Sequence, residues 1–302
     1  VRFEQRLREA PPGSDRASDL LDASDRWTPY LEALSTYING TELEHLSVRD
    51  YLAYADAETG VNWRVTEGYG SLIAAAAKGV PVALNTAVTG IDASGHVLRL
   101  TSARGVIEAE RVIVTVPTDV LASGAIRLPP GAADRIDAAA ALPLGLADKI
   151  IFKLSDCDGF EPDTQVLGNP SVKRTASYHL RPFGRPLIEG FVGGEAAREL
   201  EVDGDAFASF ARDELAGLFG SGIRRRLQPI AQSRWGRHPF ARGSYSHARP
   251  GHAEARATLA GDVDGRLFFA GEACSMQDFS TAHGALQTGL AAARAALASL
   301  KA

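Results

Sequence analysis

Methionine is nearly absent from this chain of 302 residues: there is one, at position 276. Cysteine occurs twice, as Cys157 and Cys274. That excludes a disulfide framework, and neither residue sits at metal-ligand spacing. No apolar run approaches the roughly 18 residues that a bilayer crossing needs. The richest, Ala132–Leu146, is interrupted by Asp134, Arg135, Asp137 and Pro143. Basic charge is not in excess: 32 Lys and Arg against 37 Asp and Glu give −5, which argues against a general nucleic-acid binder. Repeats and low-complexity linkers are missing too. The first ten residues carry charges throughout and no apolar stretch, so they do not read as a signal peptide. The expectation is a soluble, cytoplasmic chain, or a piece of one, since it starts at Val1.

What is present is ordinary globular composition, with 45% hydrophobic and 23% charged residues. The length allows one large domain or two ordinary ones. The first 66 residues read as helical, with apolar spacing over Arg16–Leu21 and Tyr30–Ile38. Ser47 is placed to cap a helix over Val48–Ala55, because its hydroxyl can accept a free N–H of the first turn. Glycines in Thr66–Ser71 predict a turn into a short helix over Leu72–Lys78. Short β-type runs follow at Val80–Leu84, Val88–Asp92, Val97–Thr101 and Val106–Pro117, a spacing that suits an antiparallel meander. Arg111–Val116 is apolar at nearly every position, the pattern of a strand buried on both faces. Asp148–Leu154, Leu187–Gly193 and Leu227–Trp235 read as further extended segments. Asp203–Phe219 reads as an amphipathic helix resting on Phe207, Phe210, Leu215 and Leu218. Ala282–Leu300 is the strongest helix. Strand-rich and helix-rich stretches interleave, which predicts two lobes, each built from several segments.

The sharpest chemical signal lies near the C-terminus. Arg266–Gly271 predicts a buried strand that ends in Gly271-Glu272, and Ser280–Ala285 opens the last helix. A strand, a tight turn and a helix N-terminus together suit an anion or an electron-rich ring. A packing unit with a buried carboxylate explains the same residues equally well.

Those residues carry a resemblance. Arg266-Leu-Phe-Phe-Ala-Gly-Glu272, then His283-Gly-Ala285 and Gly289, resembles the C-terminal flavin-binding signature of the flavin-containing amine oxidases. Glu67–Ile73 is similar to the family segment entering the central helix of the FAD domain. Val112–Pro117 resembles the strand ending in proline beside the cofactor. Leu142–Gly145, ahead of Lys149, resembles the segment that delivers a flavin-facing lysine. Trp235, ten residues before Tyr245, matches a further landmark.

The resemblance implies an α/β fold of mixed α+β character, with a partial FAD-binding Rossmann-like lobe and a mixed-sheet substrate lobe. Residues 1–66 would form the helical part of the substrate lobe and 67–145 a segment of the FAD lobe. Residues 146–234 would form the substrate lobe, and 235–302 would return to the FAD lobe. It implies that Glu272 accepts a hydrogen bond from the ribityl or diphosphate part of FAD. Ala282, beside Thr281, would offer its N–H to the pyrimidine edge of the ring. Val88 would meet the adenine, Pro117 and Gly271 would border the cofactor, and Trp235 and Tyr245 would line the flavin face. Lys149 would hold a water near flavin N5, with an exposed strand-edge lysine as the rival reading. Catalysis would rest on Lys149 and Tyr245: hydride leaves a C–N carbon for flavin N5, and dioxygen re-oxidises the flavin. The substrate would be a small amine or an amino acid.

Three departures from the family pattern stand out. Ser244 occupies the position of the cysteine that links flavin covalently in some members, so FAD would be held non-covalently. Thr281 stands where a second cage aromatic belongs. The Gly-x-Gly-x-x-Gly unit that places a diphosphate on a helix N-terminus is missing. A fragment, one subunit of a split oxidase whose partner supplies the diphosphate site, or a degenerate module would each explain that. The alternatives to an amine oxidase are a non-catalytic partner subunit and a desaturase or porphyrinogen-type oxidase with the same FAD signature.

Overall fold

The computed structural model describes residues 2–301. One core gathers around a two-stranded parallel sheet of β4 (Val112–Val114) and β10 (Leu267–Phe269), with Leu267 opposite Val112 and Phe269 opposite Val114. Every side chain of β10 is buried, as its unbroken apolar run predicts. On one face lies α10 (Ala282–Ser299), which packs Ala292 and Ala296 against Phe268 and Ala270. Arg111 fastens the end of that helix, donating to the hydroxyl of Ser299 at 2.6 Å and to its carbonyl at 2.5 Å. A cation suits the negative end of a helix dipole. The other face receives α5 (Thr118–Ala122), α6 (Ala133–Ala141) and α9 (Ala255–Leu259) through Leu121, Leu142 and Leu259. An antiparallel meander of β1 (Val88–Asp92), β2 (Leu98–Ser102) and β3 (Gly105–Ala109) adds Ile91 and Leu98 to this core.

A second core fills one side of a five-stranded sheet. Its strands are β5 (Ala147–Leu154), β6 (Thr164–Leu167), β7 (Ser177–Leu180), β8 (Leu187–Gly193) and β9 (Leu227–Gln232). The spatial order is β6-β7-β8-β5-β9. Every pair within it is antiparallel, whereas the chain as a whole contains both parallel and antiparallel pairs. Helix α8 (Ala206–Phe219) lays Phe207, Ala211 and Leu215 onto Phe152, Tyr178 and Ile188. Of the apolar stripe expected on this helix, Phe210 is half-buried and Leu218 is exposed. The short α7 (Gly194–Leu200) and α2 (Thr28–Ile38) border the same sheet. A third cluster joins α1 (Arg2–Glu9) to α3 (Val48–Ala57) through Phe3, Leu7, Leu46 and Val48. Ser47 caps α3 as expected, its hydroxyl accepting from the N–H of Asp50 at 3.2 Å.

Some expectations fail locally. Val80–Leu84 forms no strand; Val80, Val82 and Leu84 are 59%, 67% and 71% exposed and find no sheet edge to pair with. Arg16–Leu21 yields only a single 3-10 turn, Ala17–Leu20. The apolar segment after Pro130 forms α6, a helix that alanine propensity favours. Helix α4 (Tyr69–Ala76) starts three residues earlier than expected and buries none of its residues. Among the described residues β4 has one partner, so its other edge is unpaired. Among the described residues no helix is long and apolar enough to cross a membrane.

Candidate functional site

The carboxyl ends of β4 and β10 point the same way. Beyond them lies a cavity of about 220 Å³, lined by Val114–Thr118, Leu144, Ser244, Phe269–Cys274 and Ala285. Crevices outside the carboxyl ends of parallel strands are where open α/β sheets bind ligands. The volume is below the roughly 300 Å³ at which small-molecule pockets begin, so it suits part of an extended ligand.

Three residues singled out in the sequence meet at this cavity: Pro117, Gly271 and Glu272, with Ser244 beside them. Gly271 sits at φ 143°, a conformation that favours glycine, and a Cβ built there would meet open space. Ligand atoms can therefore approach its backbone closely. The Glu272 carboxylate is held by the chain. Its Oε1 accepts from the N–H of Ser246 at 3.0 Å. Its Oε2 accepts from the Ser246 hydroxyl at 2.8 Å and the N–H of Ser280 at 2.7 Å. A carboxylate offers about four acceptor sites, so one remains for a ligand. Thr118 also lines the cavity. Its hydroxyl oxygen is buried without a hydrogen-bond partner among the described residues, an expensive state unless a ligand or water supplies one. Burial pushes the Cys274 thiol up to about 12, so this cavity residue stays protonated and is no nucleophile.

Helix α10 opens beside this space and contributes Ala285 to its wall. Thr281 caps it: the hydroxyl accepts from the N–H of Gly284 at 3.0 Å and donates to the carbonyl of Asp278 at 2.6 Å. Ala282 is exposed at the first helical position. The cap leaves its N–H, like that of His283, without an acceptor among the described residues.

Tyr245, Lys149, Trp235 and Val88 lie outside the cavity lining. Tyr245 is half-buried, and its hydroxyl donates to the carbonyl of Tyr37 at 2.5 Å. Burial pushes that phenol above its ordinary value. Lys149 projects from β5 with its ammonium 5.8 Å from the Phe191 ring centre. Trp235 is 46% exposed. It is tied to the same strand, since its N–H donates to Asp148 Oδ1 at 3.2 Å. Val88 is half-buried at the start of the meander and packs against the first core. Ser244 has its hydroxyl engaged twice with the backbone of Ala147, at 2.8 Å each. Among the described residues no cluster of His, Cys, Asp and Glu is arranged to hold a metal.

Sequence reading missed the support behind Glu272. Arg256 is 1% exposed and donates to the Ser246 hydroxyl at 2.9 Å. Its guanidinium lies 3.7 Å from the Phe279 ring centre. Thr118 was missed as well, although it directly follows Pro117.

The profile of the flavin containing amine oxidoreductase family matches residues 3–297. Protein FLOWERING LOCUS D of Arabidopsis thaliana is 33% identical, over 74% of this chain and 30% of its own length. Polyamine oxidase 4 of Oryza sativa subsp. japonica is 31% identical, over 78% of this chain and 49% of its own. The chain thus spans about a third to a half of the curated relatives it matches. Among solved structures, cyclohexylamine oxidase from Brevibacterium oxydans IH-35A superposes with a TM-score of 0.70 at 18% identity. That match covers 100% of this chain and 74% of the oxidase, a likeness of fold.

Proposed function

The chain belongs to the flavin containing amine oxidoreductase family, and from that membership we propose that it forms part of an FAD-dependent amine oxidase. The observation that carries this reading is the meeting of Pro117, Gly271 and Glu272 around one cavity beyond two parallel strands, with Thr118, whose buried hydroxyl has no partner among the described residues, in the same lining. These residues fit the cofactor. Glu272 has one acceptor site for a ribityl hydroxyl, Gly271 admits close backbone approach, and Thr118 lacks a partner among the described residues.

Bound FAD would take hydride from the carbon of a C–N bond and be re-oxidised by dioxygen. The chain's own part is orientation and electrostatics. The free N–H of Ala282, at the positive end of α10, favours negative charge on a ring edge beside it. Lys149 would hold a water, while Trp235 and Tyr245 would line the ring face. Tyr245 has spent its proton on Tyr37, so toward a substrate amine it can only accept. With Ser244 bound to Ala147 on both sides, FAD would be held without a covalent link.

The unpaired edge of β4 and the exposed Leu72 and Ile73 of α4 suit a further segment or a partner chain that supplies the diphosphate site. The segments 67–145 and 235–302 would make the FAD lobe, with 1–66 and 146–234 serving the substrate lobe.

The test is a titration of the purified chain with FAD, followed by flavin absorbance and by peroxide release with small amines. Bound flavin with peroxide supports the oxidase. A chain that stays colourless, alone and with its partner segment, leaves the second reading, an interaction module that keeps the fold. The exposed apolar face of α4 is the feature that favours it.

A further inference from the structure

Asp148 and Glu201 are buried acids, 1% and 5% exposed, placed by different elements: Asp148 lies on β5, and Glu201 directly follows α7. Both hold the same short loop, 233–236. Asp148 Oδ1 accepts from the Ser233 hydroxyl at 2.7 Å and from the N–H of Trp235 at 3.2 Å. Glu201 Oε1 accepts from the N–H of Gly236 at 2.8 Å. The fit is close, since a Cβ on Gly236 would fall 2.6 Å from Glu201 Oε2. Ser233 completes the clasp by bonding the backbone of Lys149 in both directions, at 2.8 and 2.9 Å.

Asp148 Oδ2 is buried with no partner among the described residues. The basic groups of the surrounding elements are turned elsewhere. Lys149 alternates to the opposite face of β5 and lies over Phe191. Arg198 of α7 lines a cleft with His247 and Arg249. Arg234 reaches toward Gly204, and His238 stacks near Trp235. On β8, Asp148 faces Val192, which carries no charge. A fully ionised pair would therefore place two uncompensated anions side by side in the interior, which is strongly unfavourable.

We propose that Asp148 keeps a proton in the fold, directs it toward Glu201, and with Glu201 acts as a positioning residue for the 233–236 loop and its Trp235. Burial, and then the neighbouring Glu201, push the Asp148 carboxyl up to about 7. Below that value the Asp148 proton bridges the two acids. Above it the proton passes to solvent, the two carboxylates repel, and the loop loses its clamp. Aspartic dyads elsewhere obey the same electrostatic rule. The consequence for a flavin face rests on the placement of Trp235 proposed above, but the loop itself is tested without flavin.

The test replaces Trp27 and Trp63, 48% and 92% exposed, with phenylalanine, leaving Trp235 as the sole indole. Emission is then followed from about pH 5 to about pH 9. We expect a red shift with its midpoint near 7, together with loss of the protonated-carboxyl infrared band over the same range. Asp148→Asn and Glu201→Gln should each abolish the transition while retaining a neutral hydrogen-bonding group. An emission that stays flat with pH overturns the proposal, as does a transition that survives in both amide variants. Should neither variant fold, the infrared band of the parent protein decides: its absence below the midpoint overturns the bridging proton. A chain that binds no flavin but shows the transition keeps this inference and loses only the oxidase reading.

Discussion

Arg256 and Asp50 lock together across two buried hydrogen bonds, Nε to Oδ1 at 2.8 Å and Nη2 to Oδ2 at 2.9 Å. Asp50 Oδ2 also accepts from the N–H of Ala248 at 2.8 Å. The relay continues from Arg256 to the Ser246 hydroxyl and on to Glu272. A carboxylate on α3 thereby braces a residue of the candidate cofactor cavity. Removing one member of a buried pair strands the other. Asp50→Ala should therefore lose about 3–5 kcal/mol of unfolding free energy in denaturant titration. Arg256→Lys should fail to restore the pair, because an ammonium cannot make the forked contact. A loss under about 1 kcal/mol would mean that the pair contributes no more than a surface one.

Glu272→Gln should weaken FAD binding about tenfold, or about 1.4 kcal/mol, read as the midpoint of an absorbance titration. The amide keeps one acceptor but turns an NH₂ toward donors that a carboxylate now satisfies. Unchanged affinity would place the cofactor elsewhere.

Stability should respond to pH in two opposed ways. Burial, with Arg256 and His45 nearby, pushes His247 from 6.5 down to about 3. The unfolded chain takes up that proton and the folded chain refuses it, so stability falls as pH drops from 6.5 toward 3. Asp148 acts with the opposite sign. Its folded form keeps a proton that the unfolded chain releases above 3.8, so its contribution declines as pH rises toward 7. Each effect is on the order of a few kcal/mol. His247→Gln should flatten the acid limb of a plot of unfolding free energy against pH, and Asp148→Asn the neutral limb. An unaltered plot in either variant would show that the group titrates as it does in water.

Gly145 and Gly40 bring two backbones into contact: a Cβ on Gly145 would fall 2.7 Å from Gly40 atoms. Gly145→Ala should cost about 1–3 kcal/mol by overpacking. Gly217→Ala, within α8 with open space around it, should instead gain about 0.5–1 kcal/mol. Thermal unfolding of the two variants tests the contrast, and equal shifts would contradict it.

Ile73 is 52% exposed on α4. Ile73→Glu should change the stability of the isolated chain by less than about 0.5 kcal/mol and raise its solubility. A larger loss would reveal packing around α4.

Legibility in the sequence followed how local the determining physics is. The β10 strand and the strand before Pro117 were readable because an unbroken apolar run has few other solutions. Ser47 was readable because a cap is a contact within four residues. Gly271, Glu272 and Pro117 were found by motif, and the structure brings them to one cavity. Asp50 gave no such signal. It sits at a position where an acid commonly favours a helix start, while its real partner is 206 residues away. Asp148 read only as the start of an extended segment, because the acid beside it, Glu201, comes from beyond the end of α7. Val80–Leu84 had strand composition but no edge to join, and composition cannot supply a neighbour.

The pairing of β4 with β10 dictates when the cavity can come into being. Its walls come from segments far apart in the chain, and Arg111 closes on Ser299, 188 positions later. Contacts of such long range form slowly. The five-stranded sheet is complete at Gln232 and can assemble ahead of the cleft, whose lining runs on to Ala285.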